Sequence, residues 1–306
     1  MTAVTMAGQR TMSNRTRRKV TRIALHLFLS GLAFVFAWPL IYVFYLSLRR
    51  YGDIVLNVNG PFSLPAGGFS SLSLDNYTYV INNSDLFHYF FNTVLITVPA
   101  VILVLFISSM VAFGISKYSW KFNLLVLLIF TAGNLLPTQV MIIPLVRLYY
   151  ATPLFSPLSD NGLLFDQTIG VILIHVVFQM GFCTFVLSNY MKTLPKELNE
   201  AAMIDGAGVW TIYRKVILPL CTPAVAALAV LETTWIYNDF FWSLFLFVTG
   251  SKRPITAALN NLQGTYLQIP TQMAALSVMA AIPTIVIYLI LQRFFVRGLT
   301  LGAAKG

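Results

Sequence analysis

Apolar runs recur along the chain at about residues 23–48, 89–115, 122–146, 168–190, 220–248 and 273–296. Each is near or above the roughly 20 residues that a helix needs to cross a hydrocarbon core. Lipid offers the backbone no hydrogen-bond partners, so such runs cross as helices. A barrel would show short segments of alternating polarity instead. The first run follows a basic stretch, as the apolar part of a signal peptide does. At about 26 residues it exceeds the usual 7–15, and a retained helix is expected. The pattern predicts an all-α membrane protein with six transmembrane helices.

The polar segments between the runs differ in character. Residues 49–88 are rich in Gly, Ser, Asn and Pro and are expected to form a solvated loop, with a short surface helix near Leu74–Tyr77. Residues 193–219, TLPKELNEAAMIDGAGVWTIYRKVILP, are too polar to span and too patterned for a plain loop. Pro195 suits a first helical turn, where its missing N–H costs nothing. Lys196 to Met203 are good helix formers. Asp205 and Gly206 are expected to stop that helix, because Gly readily takes the left-handed conformation of a helix end. A second helix is predicted from about Val209 to Ile217, with Val209, Ile212, Val216 and Ile217 on one face. An amphipathic elbow on the membrane and a docking element for a partner fit this pattern equally.

Several polar residues fall inside the apolar runs. Glu232, Asp239 and Ser243 are separated by spacings of 7 and 4, which places them on one face of a continuous helix. A carboxylate at a helix centre costs about 2.5–3.5 kcal/mol on insertion scales, so that face is expected to meet protein or water. His175 and Gln179 form an i, i+4 pair. Thr131, Asn134 and Thr138 line one side of the third run, beside an expected kink at Pro137. These stripes are candidates for a hydrated route for a hydroxyl-rich solute, with interhelical hydrogen bonding as the competing role. Ala274, Ser277 and Ala281 suggest close helix packing in the last run.

Composition agrees with the runs. Of 306 residues, 58% are hydrophobic and only 10% charged, against about a quarter charged in soluble domains. Mean hydropathy is +0.77. The net charge of +10 would suggest nucleic acid in a soluble chain. Here it sorts by compartment. Arg10, Arg15, Arg17, Arg18, Lys19 and Arg22 precede the first run, and the second and fourth connections and the carboxyl end bring that side to 15 basic residues, against 5 on the other. The positive-inside rule places both termini in the cytoplasm. The expected organisation is a basic arm over 1–22 and a transmembrane domain over 23–306. No GxxxxGK[ST] occurs, so ATP hydrolysis by this chain is not expected. No metal-ligand motif occurs, His26, His88 and His175 lie in separate segments, and Cys183 and Cys221 give no disulfide framework.

The string Glu200-Ala201-Ala202-x-x-Asp205-Gly206-Ala207, followed by Ile217-x-Pro219, resembles the EAA loop of ABC-importer permeases. Similarity to the sugar-permease branch, of the maltose-transporter type with six helices, extends along the chain. It includes Leu74-x-Asn76-Tyr77, Phe91-Asn92-Thr93, Pro137-x-x-Val140-x-x-Ile143-Pro144-Leu145, Tyr237-Asn238-Asp239-Phe240-Phe241-Trp242 and the ending from Gln292 to Gly306. Small departures are Tyr237, where Trp is frequent, and Ala304, where Val is usual.

The resemblance implies a type I ABC-importer permease fold in a prokaryotic inner membrane, importing a carbohydrate. Residues 191–219 would be the coupling loop, with Glu200, Ala201, Ala202, Asp205, Gly206 and Ala207 contacting a cytosolic ATPase. Gly302, Lys305 and Gly306 would form an ATPase-contacting tail. Asn134, Gln179, Asn238 and Asp239 are candidate pathway residues. Implied partners are a second permease, two ATP-binding cassette subunits carrying ATP and Mg, an extracytoplasmic solute-binding protein and the lipid bilayer, with no nucleic acid. The alternative is an ion- or proton-coupled secondary transporter using Glu232 and Asp239.

Overall fold

A computed structural model describes residues 14–52, 68–259 and 269–303. Its regular structure in these segments is helical, apart from one isolated bridge between Pro153 and Leu163. The helices are α1 (Asn14–Ser47), α2 (Asp75–Asn83), α3 (Leu86–Lys117), α4 (Asn123–Ala132), α5 (Thr138–Ala151), α6 (Thr168–Thr193), α7 (Glu197–Ile204), α8 (Val209–Leu220), α9 (Thr222–Tyr237), α10 (Phe241–Leu246) and α11 (Pro270–Ala303).

Helices α1, α3, α6 and α11 contain stretches long and apolar enough to cross a membrane, and α8 with α9 qualify together across a 75° bend. That bend sits at Cys221, between Pro219 and Pro223, where two missing N–H groups and two ring clashes stop a straight helix. The third apolar run is broken. Helix α4 passes into a short 3-10 turn over Gly133–Leu135, and α5 begins after Pro137. The fifth run is broken as well, at Asn238–Phe240. Averaged hydropathy is blind to both breaks because apolar residues flank them closely on either side.

The main core is the seam between α3 and α6, extended by α8, α9 and α10. Val104, Ala112, Val171, Cys183, Leu187, Ile217 and Cys221 are sealed within it. Small and hydroxyl-bearing residues bring the helices close, as in membrane bundles generally. The Ser108 hydroxyl donates to Met180 O at 3.2 Å. Gly181 is a close-approach site, since a Cβ there would lie 2.0 Å from Phe130 O and 2.7 Å from Asn134 Nδ2. By contrast α1 is exposed along most of its length, leaving an apolar surface that requires lipid or protein around it. It packs along α11. On α11 the buried small residues are Ala274, Ala275 and Ala280, while Ala281 is exposed. The packing face is therefore rotated slightly from the predicted one.

Two of the motifs singled out by resemblance are braces. The Asn76 Nδ2 donates to Ser47 O and Arg49 O at 2.8 Å each, and Tyr77 OH meets Ser47 Oγ at 2.6 Å. Helix α2 thereby satisfies carbonyls at the end of α1 that have no partner within that helix. The Asn92 Nδ2 donates to Ser251 O at 2.7 Å and Arg253 O at 3.1 Å. Thr93 Oγ1 accepts from the Ile255 N–H at 2.9 Å. Together they pin the segment after α10 against the start of α3.

Candidate functional site

Residues 193–219 fold close to the predicted pattern. Helix α7 covers Glu197–Ile204 and ends where Gly206 adopts φ +77°. The Ala207 N–H bonds Ala202 O and the Gly206 N–H bonds Met203 O, both at 3.0 Å. These are the two bonds of a Schellman cap, and they place Ala207 over Ala202 as that motif's apolar contact requires. The string Ala202-x-x-Asp205-Gly206-Ala207 is thus a helix stop with each position accounted for. Ala202 and Ala207 pack against the main core, while Glu200, Ala201, Asp205 and Gly206 face outward.

The second helix differs from prediction in one respect. Residues Ile212–Ile217 form a π-helical turn. With i→i+5 hydrogen bonding, Ile212 and Ile217 come onto one side and both are buried, joined by Tyr213. Val209 was expected on that face and is exposed. The Tyr213 OH meets Ser109 Oγ of α3 at 2.8 Å, and its ring lies 5.4 Å from that of Phe113. Lys117, the last residue of α3, donates to Leu194 O at 3.0 Å. The loop is therefore joined at both ends to the α3–α6 seam.

Sequence reasoning did not select the tip of this loop. Ile204 is 86% exposed, and Met203 is also exposed. Apolar side chains concentrated on the outside of a polar connection are the mark of an interaction surface. The available signal was two large apolar residues immediately before a Gly-terminated helix stop.

Inside the bundle, the expected Glu232–Asp239–Ser243 face does not exist as one helical stripe. It presumed a continuous helix, and α9 ends at Tyr237. Glu232 is fully buried and accepts from the Cys183 thiol of α6 at 3.1 Å. Asp239 lies beyond the break and caps α10, accepting from the Trp242 and Ser243 N–H groups at 3.2 and 3.1 Å and from Ser243 Oγ at 2.9 Å. Those are orphan donors of a helix start, where negative charge is favoured. Its other neighbour is His175 Nε2 at 3.6 Å. The sequence had placed these two on separate stripes. The Thr256 hydroxyl also bonds the Asp239 carbonyl, so the break is held from several sides.

Of the other pathway candidates, Asn134 is exposed beside Gly181, two residues on from the half-buried Gln179. Asn238 is exposed, and its Nδ2 donates to Thr234 O at 2.8 Å. On α6, His175 meets Asp239 and Gly181 meets Asn134; Gln179 and Gly181, two residues apart, lie on different faces of the helix. Gly302 lies in the last turn of α11. Lys305, Gly306 and most of the 1–22 arm lie outside the described residues.

At the end of the bundle opposite α7, Asp166 adopts φ +61°. It accepts from the Val248 and Thr249 N–H groups at 2.9 and 3.0 Å and from the Thr249 hydroxyl at 2.6 Å. Lys252 donates to Asp160 Oδ2 at 2.7 Å, and Gln167 bonds the same carboxylate. Hydrogen bonds from Lys252 and Gln167 hold the Asp160 carboxyl down at about 2. This latch joins the α5–α6 connection to the segment following α10.

The family model of the binding-protein-dependent transport system inner membrane component matches residues 104–300, a stretch that contains the α7 loop and most of the bundle. The chain is 29% identical to an osmoprotective-compound uptake permease from Synechocystis, covering 96% of both chains. It is 30% identical to an arabinooligosaccharide transport permease from Halalkalibacterium halodurans, over 95% of this chain and all of that one. Among solved structures, it resembles a chain of a bacterial ABC transporter that imports the acidic polysaccharide alginate. There the TM-score is 0.73 and the identity 22%, covering 94% of this chain and 100% of the other.

Proposed function

The chain belongs to the family of inner membrane components of binding-protein-dependent transport systems, and we propose that it is the permease subunit of an ATP-driven carbohydrate importer. It would form half of the translocation route beside a second permease subunit, with two cytosolic ATP-binding cassette subunits and an extracytoplasmic binding protein completing the assembly. ATP and Mg would reside on the ATPase subunits. The α7 loop would be cytoplasmic, as the charge distribution of the sequence favours, with both termini on that side and six spans in all. The broken α4–α5 and α9–α10 segments would supply the third and fifth.

The observation that carries this reading is the α7 loop itself. It is a capped, core-anchored helix with an apolar tip, tied to α3 by Lys117 and Tyr213. ATP-driven closure of the ATPases would displace this helix and shift the bundle between two states. Differential contact with those two states is all that such coupling requires.

The secondary-transport alternative gains nothing from the geometry, since Glu232 and Asp239 point to different partners across a helix break. Reconstitution into vesicles with the cognate ATPase and binding protein separates the readings. Uptake is expected to need ATP on the ATPase side. Uptake driven by an ion gradient alone would refute the proposal.

A further inference from the structure

Two cavities adjoin one another where α3 ends and the α7 loop begins. One, of about 360 Å³, mixes polar and apolar walls and is lined by Ser116, Lys117, Ser119, Lys196, Asn199 and Glu200 among others. The other, of about 390 Å³, is almost wholly apolar, with Met110, Phe113, Gly114, Trp210 and Tyr213 in its walls. Tyr118 lines both, and its buried hydroxyl has no partner among the described residues. Asn199 is only 6% exposed, and among the described residues its Oδ1 likewise has no partner. Buried polar atoms are rarely left in this state.

We propose that the joined cavities hold one anionic phospholipid of the phosphatidylglycerol type, its headgroup against Lys117, Lys196 and Asn199 and an acyl chain between Phe113 and Trp210. The match is chemical. The phosphate answers two ammonium groups that otherwise face one cavity together, and basic pockets on the cytoplasmic side of helical bundles hold anionic headgroups for this reason. Glu200 and the Asn199 Oδ1 accept hydrogen bonds, which the lipid's phosphodiester does not provide and its glycerol hydroxyls do. The apolar half takes a hydrocarbon chain. Trp210, half-exposed beside it, sits where aromatic side chains gather at a membrane boundary. Bound there, the lipid lies directly behind α7, so the loop's resting position depends on its presence.

The inference rests on the membrane reading and not on the import reading, and its test needs only the full chain. Native mass spectrometry of the purified chain, offered phosphatidylglycerol or phosphatidylcholine, reads retained lipid directly. One phosphatidylglycerol per chain is expected. Lys196→Gln is expected to lower its retention about fivefold, the effect of one basic residue near an anionic headgroup. Gly114→Leu, at a position where a Cβ meets nothing within 4 Å, is expected to do the same by filling the apolar half. Equal retention of the two lipids would overturn the proposal, as would retention unchanged in both variants. Soluble glycerol phosphate competing as well as the lipid would reassign the site to a free phosphate ester. Displacement of the lipid when ATPase subunits are added would reassign it to a protein partner.

Discussion

Replacing Gly206 tests whether the α7 loop works through the shape of its helix stop. Gly206 holds φ +77°, and a Cβ placed there meets nothing within 4 Å. Gly206→Ala therefore introduces no clash, and its whole effect is backbone strain. For an L-residue with a Cβ the left-handed region costs roughly 1–2 kcal/mol. Asn tolerates that region far better, through local hydrogen bonding. A penalty of 1–2 kcal/mol corresponds to a roughly 5- to 30-fold loss of the capped conformation. With the Ala207–Ala202 and Gly206–Met203 bonds weakened, α7 would fray at the end that carries Met203 and Ile204. The assay is substrate-dependent ATP hydrolysis by the reconstituted transporter. Gly206→Ala is expected to lower it by about that factor with normal membrane insertion, and Gly206→Asn to restore most of it, because only Ala is penalised in this conformation. Equal defects in the two variants, or none in Gly206→Ala, would refute the argument that conformation is the cause.

Gly181→Ala forces a methyl towards Phe130 O; it is expected to lower stability by about 1–3 kcal/mol, as overpacking does, seen as a drop in thermal midpoint in detergent. Asn76→Ala leaves two carbonyls at the end of α1 without their donor, and a loss of about 1–3 kcal/mol is expected from the unsatisfied groups. Hydrogen exchange should show the effect concentrated around Ser47–Arg49 and α2. The Asp160 carboxyl is held below its ordinary 3.8, at about 2, so its contribution to the latch is fully present above 3.8 and is lost as pH falls through 2. Exchange protection of residues 158–167 should fall over that window in the wild type. Lys252→Met removes the principal cause, and in that variant the loss should move towards pH 3.8.

The parts of the fold that depend on bulk hydropathy or on local backbone chemistry were legible in the sequence. The α7 stop is the clearest case, because Gly206 and its cap bonds all lie within six residues. The breaks at Gly133–Pro137 and Asn238–Phe240 were less legible. Pro137 announced a kink, whereas nothing in Tyr237-Asn238-Asp239-Phe240 separates a helix end from a polar turn within a span. Once that break is present, spacing arithmetic across it fails, and Glu232 and Asp239 part company. The π turn had the same effect on a smaller scale by moving Val209 off the buried face. The pairings of His175 with Asp239 and of Asn92 with Ser251 join residues 64 and 159 positions apart, and no local pattern encodes them. Asn76 and Asn92 stood out by resemblance alone, and their work proves to be satisfying backbone carbonyls on distant segments.

The central claim is that the α7 tip meets the ATPase. Cys183 and Cys221 are buried, so an introduced surface thiol is selectively labelled. Ile204→Cys at the tip and Thr249→Cys at the opposite end, treated with a short bifunctional thiol reagent in the assembled transporter, test it most directly. The account predicts a crosslink to the ATPase subunit from position 204, sensitive to nucleotide, and none from position 249. A crosslink from 249 alone would contradict it.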